Sequence, residues 1–476
     1  RNTDSSGYGL LEIANTYYEL TETYYSHPEF GVWIQANSYK LFDYFNSFQP
    51  HIKKVIGNFN SAVVWDFAKV LNDSIIVAVI DYGVESHEDL PASRLRPGFD
   101  YAQGDNNPTP GQFQGHGMAT AGIIAASHTI DSIAGLQAST GVISLNPKVS
   151  VLPLKIFNDN GTSTGVFPSE IAQAISFAWK NGAAILSNSW GYGSPCPVPS
   201  IYDVLTSAID SAAAFGRGGK GCPVIFSSGN GGIQTLGVQY PACLPSALSV
   251  GALQLSVSIP QVNDYRWSYS QYGSALDLMA PSSSLCLVGT VWTLDRMGTV
   301  GYNPGVTQLP NCPSITTWDC PSAGSNDVDY MCQFGGTSGA CPIVSGIASL
   351  VLSKDPTLTR QQVYNILDSS AVTQLDWGPL PDTPHVEYGY GRVDAFRAIL
   401  SISRGDLNND GTIGNVLDLT ILVDWIFRGI PPPNFPSPKL GDCNCDGTAN
   451  NILDLTRLVD WLFRSGPPPV NPCFKF

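Results

Sequence analysis

Charge is what this 476-residue chain has least of: only 13% of its residues are charged, and basic ones are the scarcer kind, 24 against 39 acidic, for a net charge of −15. That balance excludes the phosphate-neutralising surface a nucleic-acid binder needs. No run of 18 apolar residues occurs, so no membrane span is expected. The eleven cysteines form no zinc-spaced cluster, which points to an oxidising compartment, and their odd number leaves at least one thiol unpaired or intermolecular. Histidine is also scarce, with six residues. The length suits one domain of about 340 residues and a small second one.

Among the residues that are present, Gly336-Thr337-Ser338-Gly339-Ala340-Cys341-Pro342 stands out. It precedes an apolar series, Ile343, Val344, Ile347, Ala348, Leu350 and Val351, whose spacing predicts a buried helix. Ser338 would then lie at a helix N-terminus, where free N–H groups and the positive dipole end favour a developing oxyanion. Taken alone, the string also reads as an ordinary helix start with Ser or Thr as N-cap. A nucleophile would need a base and an acid from elsewhere in the chain.

Both candidates lie upstream. Ile75 to Ile80 is a short β-branched run typical of a central parallel strand, and Asp81 follows it at the carboxyl end, where open α/β sheets place their sites. Gly115-His116-Gly117 opens a second small-residue helix, a setting shared by none of His27, His51, His87, His128 and His385. The order Asp81, His116, Ser338 excludes the α/β-hydrolase arrangement, which runs Ser, Asp, His and needs glycine where Ala340 stands.

On these residues the chain resembles the subtilisin-like serine proteases, or subtilases, over roughly residues 60 to 400. Further matching stretches are Ile80-Asp81-Tyr82-Gly83-Val84, His87-Glu88-Asp89-Leu90, Ser228-Gly229-Asn230, Tyr240-Pro241-Ala242, Leu278-Met279-Ala280-Pro281 and Gly389-Tyr390-Gly391-Arg392-Val393-Asp394-Ala395. The resemblance implies an α/β three-layer sandwich with a central parallel sheet. It also implies a triad of Ser338 as nucleophile, His116 as base and Asp81 orienting the imidazole. The oxyanion donors would be the Ser338 N–H and the Asn230 amide. Gly161-Thr162-Ser163 would pair with a peptide as an added strand. Ser189-Trp190-Gly191 and Ser227-Ser228-Gly229 would wall a pocket for an apolar or aromatic side chain, with no carboxylate there to select a basic one. Gln239 stands where the family often keeps a small residue and would shorten or polarise that pocket. Pro241 is expected to be cis, and Asp89 corresponds to a family calcium ligand whose partner loop, near Ser127 to Ile133, lacks the usual asparagines. Between Ser282 and Phe334, Trp292 to Arg296 and Asn326 to Tyr330 read as a solvated rim loop or a calcium site. An intact triad does not exclude the alternative, a structural or adhesive protein that keeps the fold with little turnover.

A separate signal lies near the C-terminus. Asp406, Asn408, Asp410 and Thr412 recur as Asp442, Asn444, Asp446 and Thr448, each set with glycine at loop position 6 and each leading into an amphipathic helix. Alternating oxygen ligands around such a glycine suit a hard calcium ion. The pair resembles a type I dockerin module, which implies docking on a cohesin-like or cell-surface partner. The closing carboxylates, Asp418 and Asp454, fall one residue later than the usual twelfth position. Either a bulge absorbs that residue or Asn415 and Asn451 substitute. Trp425, Phe427, Trp461 and Phe463 would form either the small core of this module or a docking face.

The organisation expected is therefore an N-terminal extension or propeptide remnant at 1–45, a catalytic domain at 46–403 and a dockerin-like domain at 404–476 of a secreted protein. Leu10 to Tyr25 reads as an amphipathic helix, and Arg1 with Asn-Thr-Asp behind it carries no signal-peptide pattern. Cys341 is expected to be a buried free thiol. Cys312 with Cys320, Cys196 with Cys243 and Cys445 with Cys473 are candidate pairs.

Overall fold

The computed structural model describes residues 22–27, 32–37, 75–133, 136–160, 166–232, 237–254, 264–283, 291–303, 328–331, 334–375, 377–402, 405–407, 414–429, 441–444, 448–464 and the single positions Asp446, Gly466 and Pro469. It opens with a hairpin of β1 (Glu22–His27) and β2 (Val32–Asn37). This corrects the helix expected up to Tyr25. Thr23, Tyr24 and Tyr25 are strand formers, and pairing with Val32 to Asn37 outweighs the local helical spacing. Residues 10–21 of that expectation lie outside the described residues.

The central sheet has seven parallel strands. They are β3 (Ile76–Asp81), β4 (Phe99–Asp100), β7 (Ser150–Lys155), β8 (Ile185–Asn188), β9 (Val224–Ser227), β10 (Leu248–Gln254) and β11 (Leu278–Ser282), in the spatial order β11-β10-β9-β8-β3-β7-β4. The order reverses beside β3, so the strand that ends in Asp81 has neighbours on both sides, β7 and β8. Crossover helices cover both faces. One face carries α1 (His116–Ala125), and the other carries α2 (Pro168–Lys180) and α3 (Asp203–Gly219). Side chains of β3 alternate accordingly: Val77 and Val79 join the core beneath α1, and Ala78 and Ile80 join the core beneath α2 and α3.

Helix α4 (Gly336–Lys354) runs through the first core. It is the one described helix long and apolar enough to cross a bilayer, yet 89% of that stretch is buried inside the protein, so it is a core helix. Ser127–Ile133, where the partner loop of Asp89 was expected, is strand β5 and pairs with β6 (Leu136–Ile143) as a hairpin. Trp292 to Asp295 also departs from its expected solvated setting. Thr293–Leu294 is β12, pairs with β13 (Tyr330–Met331), and every residue from Trp292 to Asp295 is buried.

Helices α5 (Arg360–Ser370) and α6 (Ala395–Ser401) pack on α4. Then α7 (Val416–Arg428) and α8 (Ile452–Arg464) follow the two acidic loops. Their inner residues Leu422 and Leu458 are fully buried and continuous with the core around α4, and Lys354 at the end of α4 pairs with Asp406 at 3.5 Å. Of the four aromatic residues Trp425 packs on this core, Trp461 is partly exposed with one ring edge against Gly414, and Phe427 and Phe463 are exposed. A core made of all four is thereby corrected, because a helix pair this short buries one stripe and leaves the other in solvent.

Candidate functional site

Asp81 ends β3 with its carboxylate 2% exposed, and its Oδ1 lies 2.7 Å from His116 Nδ1 at the first position of α1. The Tyr82 N–H donates to the same oxygen at 2.7 Å, which fixes the carboxyl group in the plane the imidazole needs. The helix can come this close because residue 117 is glycine: a Cβ there would overlap the Gly83 carbonyl. Tyr82 and Phe334 flank the imidazole, with ring centroids at 5.4 and 5.1 Å. Phe334 lies two residues before α4, so the same contact brings the start of that helix beside His116.

Ser338 sits in the first turn of α4. Gly336 has φ of +71°, and its carbonyl accepts from Ser282 Oγ at 2.6 Å, so the end of β11 pins the turn. Pro342, inside the helix, has no N–H to give to the Ser338 carbonyl. Ser189 Oγ replaces it at 3.1 Å, and the Ser338 hydroxyl donates in return to the Ser189 carbonyl at 3.2 Å. This reciprocal pair ties the candidate nucleophile to the segment that follows β8. Cys341 behaves as expected: it is fully buried and free, and burial pushes its thiol up to about 11, which makes it inert.

Asn230 follows β9 and is exposed, and its Oδ1 accepts from Thr337 N–H and Thr337 Oγ, both at 2.9 Å. With the oxygen end held, the amide nitrogen is the end left to face a ligand. Thr337 Oγ also accepts from the Gly229 N–H at 3.2 Å, so the three residues lock together. Sequence reasoning gave Thr337 no part in this. Its signal was only its place beside Ser338.

Ser189 to Gly191 and Ser227 to Gly229 extend from neighbouring strands and face each other across Gln239, whose Nε2 donates to Ser227 O at 3.1 Å and whose Oε1 accepts from Gly193 N–H at 3.2 Å. Trp190 turns its ring into the core against Phe226, so this wall is main chain. Ser228 Oγ points away, to Gln271 O at 3.0 Å. Tyr240–Pro241 is cis, and Cys196 is bonded to Cys243. Gly161, Thr162 and Ser163 lie outside the described residues, as do the pairs involving Cys312, Cys320, Cys445 and Cys473.

Sequence reasoning also missed Asp295. This buried carboxylate lies against Gly115, one residue before His116, and loss of hydration raises its pKa to about 6. Asp89 accepts on Oδ2 from Val142 N–H at 2.9 Å and Tyr330 OH at 3.1 Å. These contacts tie Asp89 to β6 and to β13.

The two acidic loops bring carboxylates together in pairs. Asp418 reaches back from the first turn of α7, with Oδ1 accepting from Leu407 N at 2.7 Å and Oδ2 from Asn415 N at 2.8 Å. Asp454 does the same in α8, accepting from Asn444 N at 3.3 Å and Asn451 N at 3.0 Å. Each buried carboxylate therefore lies beside the start of its loop, next to buried Asp406 or Asp442. Burial and then Asp442 raise the pKa of Asp454, the repulsion a bound cation would relieve. Asn415 is spent as the helix cap, accepting from Leu417 N and Asp418 N. Asn444, Asp446 and Thr448 form an exposed turn linked by short hydrogen bonds, and Asn408, Asp410 and Thr412 lie outside the described residues.

A doubly wound parallel sheet that gathers a carboxylate, an imidazole and a helix-borne hydroxyl at its carboxyl edge defines a class, and comparison with known proteins narrows it. The profile described as "Subtilase family" (Peptidase_S8) matches residues 72–391. The calcium-dependent protease of Trichormus variabilis is 30% identical over 350 residues, covering 68% of this chain and 46% of that protein. Subtilisin DY of Bacillus licheniformis is 31% identical over 308 residues, covering 64% of this chain and 85% of its own. The serine protease of Aeromonas sobria, solved with its chaperone, superposes with a TM-score of 0.56 at 20% identity, over 74% of this chain and 66% of that one. The chain belongs to the subtilase family and has its subtilisin-like α/β fold with a central parallel sheet. It spans about half the length of the calcium-dependent proteases it matches.

Proposed function

We propose that this chain is a serine endopeptidase acting through an acyl-enzyme. The observation that carries the reading is the 2.7 Å bond between Asp81 and His116 at the sheet edge, next to a helix start that presents Ser338. Ser338 Oγ attacks the peptide carbonyl while His116 takes its proton, which it later gives to the leaving amine; Asp81 keeps the imidazole in the right tautomer and stabilises its cation. The Ser338 N–H and the Asn230 amide receive the oxyanion. Water then repeats the sequence on the ester and releases the acid. Gly161, Thr162 and Ser163 pair with the substrate main chain. The uncharged segments Ser189 to Gly191 and Ser227 to Gly229 favour an apolar residue before the scissile bond. Casein hydrolysis by wild type and Ser338→Ala tests the activity, and equal rates for the two would sink it in favour of a structural role for the fold.

Residues 1–45, 46–403 and 404–476 serve in this reading as a propeptide remnant, the catalytic domain and a dockerin-like module of a secreted enzyme. Calcium is held by Asp406, Asn408, Asp410, Thr412 and Asp418, and again by Asp442, Asn444, Asp446, Thr448 and Asp454. Supporting this is the pairing of buried carboxylates at both loop starts. The ion supplies charge neutralisation and loop rigidity. The exposed Phe427 and Phe463 and the partly exposed Trp461 suit contact with a cohesin-like or cell-surface partner that tethers the enzyme.

A further inference from the structure

Gln239 has a role that its place before Tyr240–Pro241 only hints at. It is 7% exposed and wedged between the two candidate pocket walls. A Cβ on Gly191 would overlap its Cδ and Nε2, and one on Gly229 would come within 3.0 Å of its Cδ. The side-chain amide therefore touches main chain on both sides, and no layer of space is left between the walls at that depth. Its two polar ends are engaged as well, Nε2 with Ser227 O and Oε1 with Gly193 N–H. The backbone is held by Ser228 O, which accepts from Gln239 N at 3.0 Å, and by Cys243 N, which donates to Gln239 O at 3.0 Å; Cys243 is itself bonded to Cys196. Swinging the amide aside would strip the buried Ser227 carbonyl of its partner and release the Gly193 N–H, which lies at an exposed position.

We propose that Gln239 is the floor of the pocket for the residue preceding the scissile bond, and that it limits this residue to alanine or serine size. The inference rests on the endopeptidase reading of the same site. It replaces the expected preference for large apolar or aromatic side chains. Ser338 lies beside the first wall: its hydroxyl donates to the Ser189 carbonyl and its own carbonyl accepts from Ser189 Oγ, one residue before Trp190.

The test uses the full chain with succinyl-Ala-Ala-Pro-X-p-nitroanilides, X being Ala, Leu or Phe, and a fluorophosphonate probe for Ser338. Wild type should favour Ala over Phe in kcat/KM by at least about tenfold, and Gln239→Gly should shift the Phe to Ala ratio toward Phe by about 100-fold. Gln239→Ala, which keeps a side chain and strains the backbone less, should give an intermediate gain for Leu. A labelled wild type that prefers Phe, or a labelled Gln239→Gly with an unchanged Ala to Phe ratio, overturns the pocket assignment alone. Absence of labelling in wild type overturns the endopeptidase reading and this inference with it.

Discussion

Asn230 Oδ1 accepts both the N–H and the hydroxyl of Thr337, each at 2.9 Å, so the residue before the candidate nucleophile orients the candidate oxyanion donor. Asn230→Ala should lower kcat by about 10²–10³ with KM little changed, because its bond forms chiefly in the transition state. Thr337→Val removes only the hydroxyl and should lower kcat by about tenfold, since one of the two bonds to Oδ1 remains. Steady-state kinetics on one peptide substrate checks both. A pure KM effect would place Asn230 in ground-state binding.

Asp81→Asn keeps the shape of the side chain and reverses its hydrogen bonding to His116. The wrong tautomer is then held, and kcat should fall by about 10⁴ near neutral pH while the fold persists. Circular dichroism and kcat measured together check this, and retained activity would dissociate the 2.7 Å contact from catalysis.

How much of this was visible beforehand varied with the range of the interactions. The apolar runs before Asp81 and after Ser338 and the glycines around His116 announce themselves locally, because strand, helix and tight turn are short-range patterns. Thr337 on Asn230, Asp295 against Gly115 and Gln239 against Gly191 join segments far apart in the chain, and no local pattern encodes such pairs. Trp292 to Asp295 looked like a rim loop because its cover, Tyr330–Met331, is more than thirty residues away. The stretch ending at Tyr25 failed for another reason: its repeated tyrosines and threonines fit both periods, and pairing decided.

Asp277 is half-buried, and loss of hydration raises its pKa from 3.8 to about 6 against the opposing bonds from Ser249 N–H and Oγ. The native state thus keeps this proton between those values while the unfolded chain has lost it. Stability from this group is full below pH 3.8 and declines by about 3 kcal/mol as pH rises through 6. Asp277→Asn removes the dependence, so thermal melts from pH 3.5 to 7 should show the variant gaining on wild type as pH rises. A constant difference would contradict the raised value.

Calcium titration by calorimetry should find two sites in the full chain. Asp406→Ala with Asp442→Ala should abolish both heats and lower Tm, as should a chelator on wild type. Undiminished heat in the double variant would remove both loops from the ion's binding set.

The most direct measurement of the central claim is peptide mapping by mass spectrometry after reaction with diisopropyl fluorophosphate. One stoichiometric adduct on Ser338 is predicted, lost in Ser338→Ala and much slower in His116→Ala. An adduct on another residue, or none under conditions that label a known serine protease, would contradict it.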